Sequence, residues 1–459
     1  MKKHQYINLI ADNKQLNTVT NYVILAFFLF APFSVSGVFK AITSPIPTSV
    51  AITMLAAGLV SIYLLSDILL NRKIHIENMD YIILIGFFLP AFLSLVGLVS
   101  NIMTLLSHEY MLYVKSEFVS RFINIIVFLF LFIGIKNYLS NKSDMELFKY
   151  IKAYSIGITI LVLVGIWQFL HFTLGLPFPD LGTRSFIHGI SDDTHLLFRR
   201  RLTSFANEPS FLAPFLIDGM IIGYMVFHQN IKKYFLYIFL PAAFVLFFSF
   251  SSGGYFNFML LVGILVVVLM FSKVNILRLF KSKGFLIASV LFILLLVIGW
   301  DYVQILTKPV FGRFETFFDI NSHARLYMVI MPFIWIFDHS PLSVIFGNGP
   351  ASYSFLQTSK FLPTGYRVHI TSNNYFVDIL FEYGFLGLIL ALWMFAYIAL
   401  KFFKKINEHK FYIVGLLLII HLGISSMYRA DFTSPRFWSV LIIVTIIFQL
   451  ASRYSKKPE

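Results

Sequence analysis

The stretch Tyr255-Phe-Asn-Phe-Met-Leu-Leu-Val-Gly-Ile-Leu-Val-Val-Val-Leu-Met-Phe271 holds no charged residue and stops at Ser272-Lys273. A helix rising about 1.5 Å per residue needs about 20 mostly apolar residues to cross a ~30 Å hydrocarbon core. Runs of this kind recur about twelve times, centred near Phe30, Gly58, Phe88, Leu129, Leu163, Met220, Ala243, Ile264, Ile293, Leu390, Leu418 and Ile443. The first follows a polar stretch and has no small-residue cleavage site behind it, so it is expected to be a span and not a removed signal. Composition agrees: 58% of the 459 residues are hydrophobic and 13% charged, where soluble domains carry about 25% charge. A soluble or disordered chain is excluded. The expected fold is an all-α polytopic membrane protein, with residues 1–459 forming one integral membrane domain.

The formal charge of +14 is the residue of a topological bias, since basic residues collect in cytoplasmic loops. Twelve spans put both termini on one side. The loops of that side hold twenty-two Lys and Arg; the short loops of the other hold Lys40, Lys115, Arg121, Arg429 and Arg436. The termini are therefore expected in the cytoplasm. Two large loops, 178–210 and 301–374, then lie outside. Nucleic acid is not needed to explain the charge. Cysteine is absent, so no thiol nucleophile or cysteine metal site exists. No Walker, HExxH or GxSxG motif occurs, and no internal repeat is visible.

Chemistry is expected in the two long loops and the span ends beneath them. The first carries Arg199-Arg200-Arg201 and then Glu208-Pro209-Ser210. Arginines outside the membrane run against the bias. Their guanidinium forks suit phosphate oxygens, while headgroup anchoring is the plainer explanation. In the second loop, the apolar segment that begins at Arg325 is too short for a span and predicts an interfacial or re-entrant helix. Ile345-Phe-Gly347-Asn-Gly349-Pro350 predicts a turn. Arg367 and His369 precede Ser372-Asn373-Asn374, where Ser372 or Asn373 is the expected helix N-cap. Asn374, Asp378 and Glu382 follow at four-residue spacing, drifting about 40° per step around one helix face. Carboxylates inside a span face a cavity or a partner, either functional or bridging to neighbouring helices. Asp218 and Asp67 are further intramembrane acids with the same two explanations. His369 suits general-base chemistry by its ordinary pKa of about 6.5, although a lone loop histidine is more often solvated. No histidine spacing suggests a metal, and no cofactor is expected.

These residues, in this order, resemble the O-antigen polymerase and O-antigen ligase family of membrane glycosyltransferases. Arg201 through Ser210 looks like the family's arginine and Glu-Pro-Ser run. Ser251-Ser252-Gly253-Gly254 is similar to its middle serine turn. Arg325 through Pro350 looks like its arginine, apolar stretch and Gly-rich turn. Ser372-Asn373-Asn374 through Glu382-Tyr-Gly384-Phe-Leu-Gly387 resembles its His-Asn, Glu-x-Gly-x-x-Gly stretch. Two departures stand out: Asn373 occupies the place of the histidine on which ligases are thought to depend, and Gly253 occupies that of a frequent arginine.

The resemblance implies polymerisation of undecaprenyl-diphosphate-linked repeat units into O-antigen, capsule or exopolysaccharide, at the outer face of the bacterial inner membrane. A chain-length regulator is an implied partner. Arg199, Arg200, Arg201, Arg367 and Asn374 are then the expected diphosphate ligands, and Glu208, Glu382, His369 and Arg325 the expected catalytic residues. The missing histidine favours polymerase over the alternative, a ligase that transfers glycan to lipid A core. A lipid-linked-glycan transporter is a further alternative, opposed by the two long loops.

Overall fold

The computed structural model describes residues 14–35, 48–70, 72–105, 108–181, 183, 200–272, 324–430 and 432–456. Arg199 and the expected span near Ile293 lie outside them. Among the described residues there is no strand, and ten helices are long and apolar enough to cross a membrane. They are α1 (Gln15–Ser34), α2 (Thr48–Leu69), α3 (Asn78–Met103), α4 (Tyr110–Leu139), α5 (Asp144–Leu174), α6 (Pro209–Val226), α7 (Ile231–Phe248), α8 (Ser252–Phe271), α11 (Tyr375–Phe403) and α13 (Pro435–Tyr454). An eleventh apolar helix, α12 (Lys410–Ser426), is shorter. The chain is thus a polytopic α-helical membrane protein. Two short helices, α9 (Ala324–Ile330) and α10 (Pro341–Phe346), precede α11.

The helices pack as a bundle with α13 at its centre. In α13 and α6, 72% of the apolar window is buried, against 22% in α8 at the edge. Trp438 of α13 stacks on Phe88 of α3 and Phe128 of α4, locking three spans with flat apolar area. α12 packs between α6, α11 and α13, so its modest length is compensated by protein neighbours on several sides.

The expected helix from Arg325 is present in pieces: α9, a short turn from Pro332 to Trp335, and a 3-10 turn to Asp338. Pro332 has no N–H to donate, which interrupts the ladder. Met328, Trp335 and Ile336 pack onto Val377, Leu380 and Phe381 of α11, while Phe333, Ile334 and Phe337 stay exposed.

The N-cap of α11 is Asn374, one residue later than the sequence suggested. Its Oδ1 accepts from the N–H groups of Phe376 (3.0 Å) and Val377 (3.3 Å). Asn373 is instead in the left-handed region (φ 59°), and the Ser372 hydroxyl oxygen accepts from the Asn374 N–H at 3.0 Å. Further on, α11 is broken. Gly384 has φ 72° and ψ −175°, which only glycine adopts without strain. The carbonyls released by the break need partners inside the bundle. The turn after α10 supplies them: Asn348 N–H donates to Phe381 O (3.1 Å) and Gly349 N–H to Glu382 O (3.0 Å). Gly347 makes this approach possible, because a Cβ there would stand 2.1 Å from Glu382 O.

Candidate functional site

Two groups of buried polar side chains in the bundle contain acids singled out from the sequence, Glu382 and Asp218. The first is assembled on the break in α11. Glu382 is 2% exposed, and its Oε2 has no hydrogen-bond partner. The Ala351 N–H donates to its carboxylate, and the hydroxyls of Tyr113 and Tyr383 stand within electrostatic reach. The Tyr375 and Tyr383 hydroxyls are also buried without partners. Buried polar atoms are nearly always hydrogen-bonded, so such a concentration of orphans in one place calls for a polar molecule or a function.

The turn that seals this site is itself anchored. Tyr113 donates to Pro350 O (2.7 Å), Tyr110 to Asn348 O (3.0 Å) and Asn101 Nδ2 to Asn348 Oδ1 (2.7 Å). The Arg121 charge is within electrostatic reach of Glu382, Asp378 and Tyr383. Arg121 is half-buried in the first turns of the regular helix that follows Phe118. It donates to Thr433 Oγ1 (3.0 Å) and lies over Phe432, whose ring also meets Tyr375.

The stripe of Asn374, Asp378 and Glu382 therefore divides by role. Asn374 caps the helix. Asp378 is saturated locally: its Oδ1 accepts from the Ser372 N–H (3.0 Å) and hydroxyl (2.5 Å), and its Oδ2 from the Thr371 hydroxyl (2.5 Å). It fastens the 371–374 turn to α11. Only Glu382 of the three keeps an unused oxygen.

The second group lies deeper. Asp218 of α6 pairs with Arg436 of α13 through Nε (2.9 Å) and Nη2 (3.2 Å) and accepts from the Tyr154 hydroxyl of α5 (2.9 Å). His421 of α12 stands with Nε2 3.2 Å from Asp218 Oδ1 and Nδ1 3.2 Å from Asn257 Oδ1 of α8. Asp218, Arg436 and His421 are all fully enclosed, and Arg436 also lies over Phe215. Five helices meet here, and each charge has a partner in bonding distance.

The other expected site residues are dispersed. Arg201 donates to the carbonyls of Ser249 and Phe250 (both 3.2 Å), tying the end of the first loop to the turn before α8. Arg200 is exposed over the Phe172 ring. Glu208 is the N-cap residue of α6 without a side-chain cap bond, and Ser210 donates to its Oε2 at 3.4 Å. Arg325 is exposed near the start of α9. Arg367 is exposed, donates to Gln357 O (3.3 Å) and lies over Phe361; His369 is exposed two residues beyond. Among the described residues no group of acids and histidines could hold a metal.

The chain matches no family model and no curated protein. The site thus rests on its own geometry. Arg121, Tyr113, Tyr383 and the Arg436–His421 pair were not singled out from the sequence. One signal was available: Arg121, Arg429 and Arg436 are three of the five basic residues in the short loops of the side that the charge bias leaves poor. Arg429 is also buried, donating to Phe211 O at 3.0 Å over the Phe211 ring.

Proposed function

We propose that this protein is a membrane glycosyltransferase of the O-antigen polymerase type, joining lipid-diphosphate-linked oligosaccharide repeats at the outer face of the bacterial inner membrane. The observation that carries the reading is the orphaned Oε2 of Glu382 at the helix break, with the Arg121 charge within electrostatic reach. The spacing along α11 supports such a substrate. Glu382 precedes Lys401 by a helical rise of about 28 Å, close to the ~30 Å of the hydrocarbon core. With Lys401 at one boundary, Glu382 would lie near the other, the level of a lipid diphosphate, which supports the reading. The arginines and the chain order in Ser372 through Gly387 add the resemblance to the polymerases.

In this mechanism the Glu382 carboxylate takes the proton of the acceptor sugar hydroxyl. The freed oxygen attacks the donor's anomeric carbon, and the bond from that carbon to the lipid diphosphate breaks. The leaving diphosphate carries the charge away and is stabilised by Arg121 and by loop arginines drawn from Arg200, Arg201, Arg325 and Arg367. Glu382 is closed in this structure, so the Gly347–Pro350 turn must lift for the acceptor to reach it.

The test is the purified protein in liposomes with undecaprenyl-diphosphate-linked repeat units, and products resolved on a gel. A ladder rising one repeat at a time, lost in Glu382→Gln, is expected. A single transfer that requires lipid A core would make the protein a ligase. A second reading, transport of the lipid-linked glycan, is favoured by the broken helix, a common device of transporters. Movement of intact substrate across the liposome without a ladder would establish it.

A further inference from the structure

At the end of the bundle opposite Glu382, a cavity of about 140 Å³ opens between the start of α3 and the last turns of α4 and α13. Its lining is His75, Ile76, Glu77, Lys136, Ser140 and Gln449. Nothing in the proposed glycosyl transfer uses it. That volume accommodates about four waters at ~30 Å³ each, or a headgroup of similar bulk.

The lining has an unusual distribution of charge. Lys136 is only 5% exposed, deep for an ammonium. Its carboxylate partner is Asp80, at 3.4 Å, and that Asp80 oxygen forms no hydrogen bond. The other Asp80 oxygen accepts from the Glu77 N–H at 2.8 Å. An ammonium has three donors, so one loose pair leaves donors facing the cavity. Glu77 and His75 are exposed at the mouth, and Gln449 is half-buried within it. Lys401 stands within electrostatic reach of both Glu77 and Asp80. Two ammonium groups and two carboxylates nearly cancel, but they are separated: the buried ammonium lies inside and a carboxylate lies at the rim. Such a lining suits a neutral molecule carrying both charges better than a simple anion.

The surroundings point to lipid as the source. His75 N–H donates to Asn137 Oδ1 (3.1 Å), and Asn137 Nδ2 donates to Asp67 Oδ2 (2.7 Å), so the mouth is tied to the end of α2. Leu65, Ile68 and Leu69 around Asp67, and Ile74 beside His75, are exposed apolar side chains. Together they form an apolar approach for acyl chains next to a polar headgroup site, the usual form of a lipid site between spans.

We propose that this cavity holds the headgroup of a zwitterionic aminophospholipid, with its phosphate on Lys136 and Gln449 and its primary ammonium on Glu77. A quaternary choline has no N–H for Glu77, and an anionic headgroup leaves Glu77 facing phosphate.

The test is lipid retention by native mass spectrometry after extraction from nanodiscs holding equal phosphatidylethanolamine, phosphatidylglycerol and phosphatidylcholine. Several-fold retention of phosphatidylethanolamine is expected. Glu77→Gln and Gln449→Leu should lower it to the phosphatidylcholine level with the thermal midpoint kept. Lys136→Met, made with Asp80→Leu so that no charge is left buried alone, should lower it likewise. Free phosphoethanolamine titrated into protein in phosphatidylcholine discs is the second arm. Saturable binding there, lost in Glu77→Gln and without lipid selectivity, would keep the chemistry and assign it to a soluble ligand. Equal retention of the three lipids with no binding of the free compound, or a preference for phosphatidylglycerol, would overturn the proposal.

Discussion

Asp218 and Glu382 are both carboxylates enclosed within membrane helices, and the bundle treats them in opposite ways. Around Asp218, an arginine, a histidine and a tyrosine from three other helices bring every acceptor a donor. Around Glu382 one oxygen is left over, Arg121 acts on it only through its charge, and two tyrosine hydroxyls share its isolation. Burying a charge costs several kcal/mol unless it is paired. A site that meets this cost completely is built to hold helices together. One that leaves it partly unmet is held together by the rest of the fold, and under the proposed function a substrate group completes the bonding.

The comparison can be broken most forcefully at Asp218. Asp218→Ala leaves Arg436 buried and alone, and about 3–5 kcal/mol of stability should be lost, read from thermal unfolding in detergent. Asp218→Leu combined with Arg436→Met should recover much of it, because the pair is removed as a unit. If the double variant is as unstable as the single one, the cluster does more than join helices.

At Glu382 the pattern should invert. Glu382→Gln should leave the unfolding midpoint unchanged or raised, while polymer formation falls about 10²–10⁴-fold in the ladder assay. A destabilised but active variant would place Glu382 in the same class as Asp218.

The support of the Glu382 site is sharpened by Gly384→Ala. The new Cβ would stand 2.2 Å from Ile345 O at a positive φ, so about 1–3 kcal/mol should be lost and the 347–350 turn should exchange hydrogen faster. Arg201→Ala removes two bonds to carbonyls and should cost about 1–2 kcal/mol by unfolding. Full stability with lost polymer would instead make Arg201 a diphosphate ligand.

The smallest effect concerns His339, beneath the Gly347 turn. Burial lowers its pKa from the ordinary 6.5, and its Nδ1 has no partner. The unfolded segment therefore binds a proton before the folded one does. Stability contributed here is full above pH 6.5 and is lost as pH falls through the lowered folded value. Hydrogen exchange over 324–350 should quicken in acid, and the acid sensitivity should weaken in His339→Phe, whose ring can keep the contacts with Phe355 and Phe381.

The sequence by itself determined that the chain is a polytopic helical membrane protein. A continuous apolar run such as Tyr255–Phe271 has one means of satisfying its backbone in lipid, which is the helix. It also located the turn at Gly347–Pro350, because Gly and Pro act within a few residues, and singled out Glu382 as an acid inside a span. The tertiary structure decided which polar residues answer one another. Asp378 and Glu382 are equivalent in the sequence, yet the 371–374 turn saturates only the first. Arg436 and Asp218 are far apart in the chain and meet only because α6 and α13 both face the bundle centre. The role of Gly384 was equally hidden, since its break is tolerated only because a distant turn brings N–H groups to the released carbonyls. Helix formation is a local balance and is written locally; the pairing of buried charges depends on which helices become neighbours, which no single stretch of sequence contains.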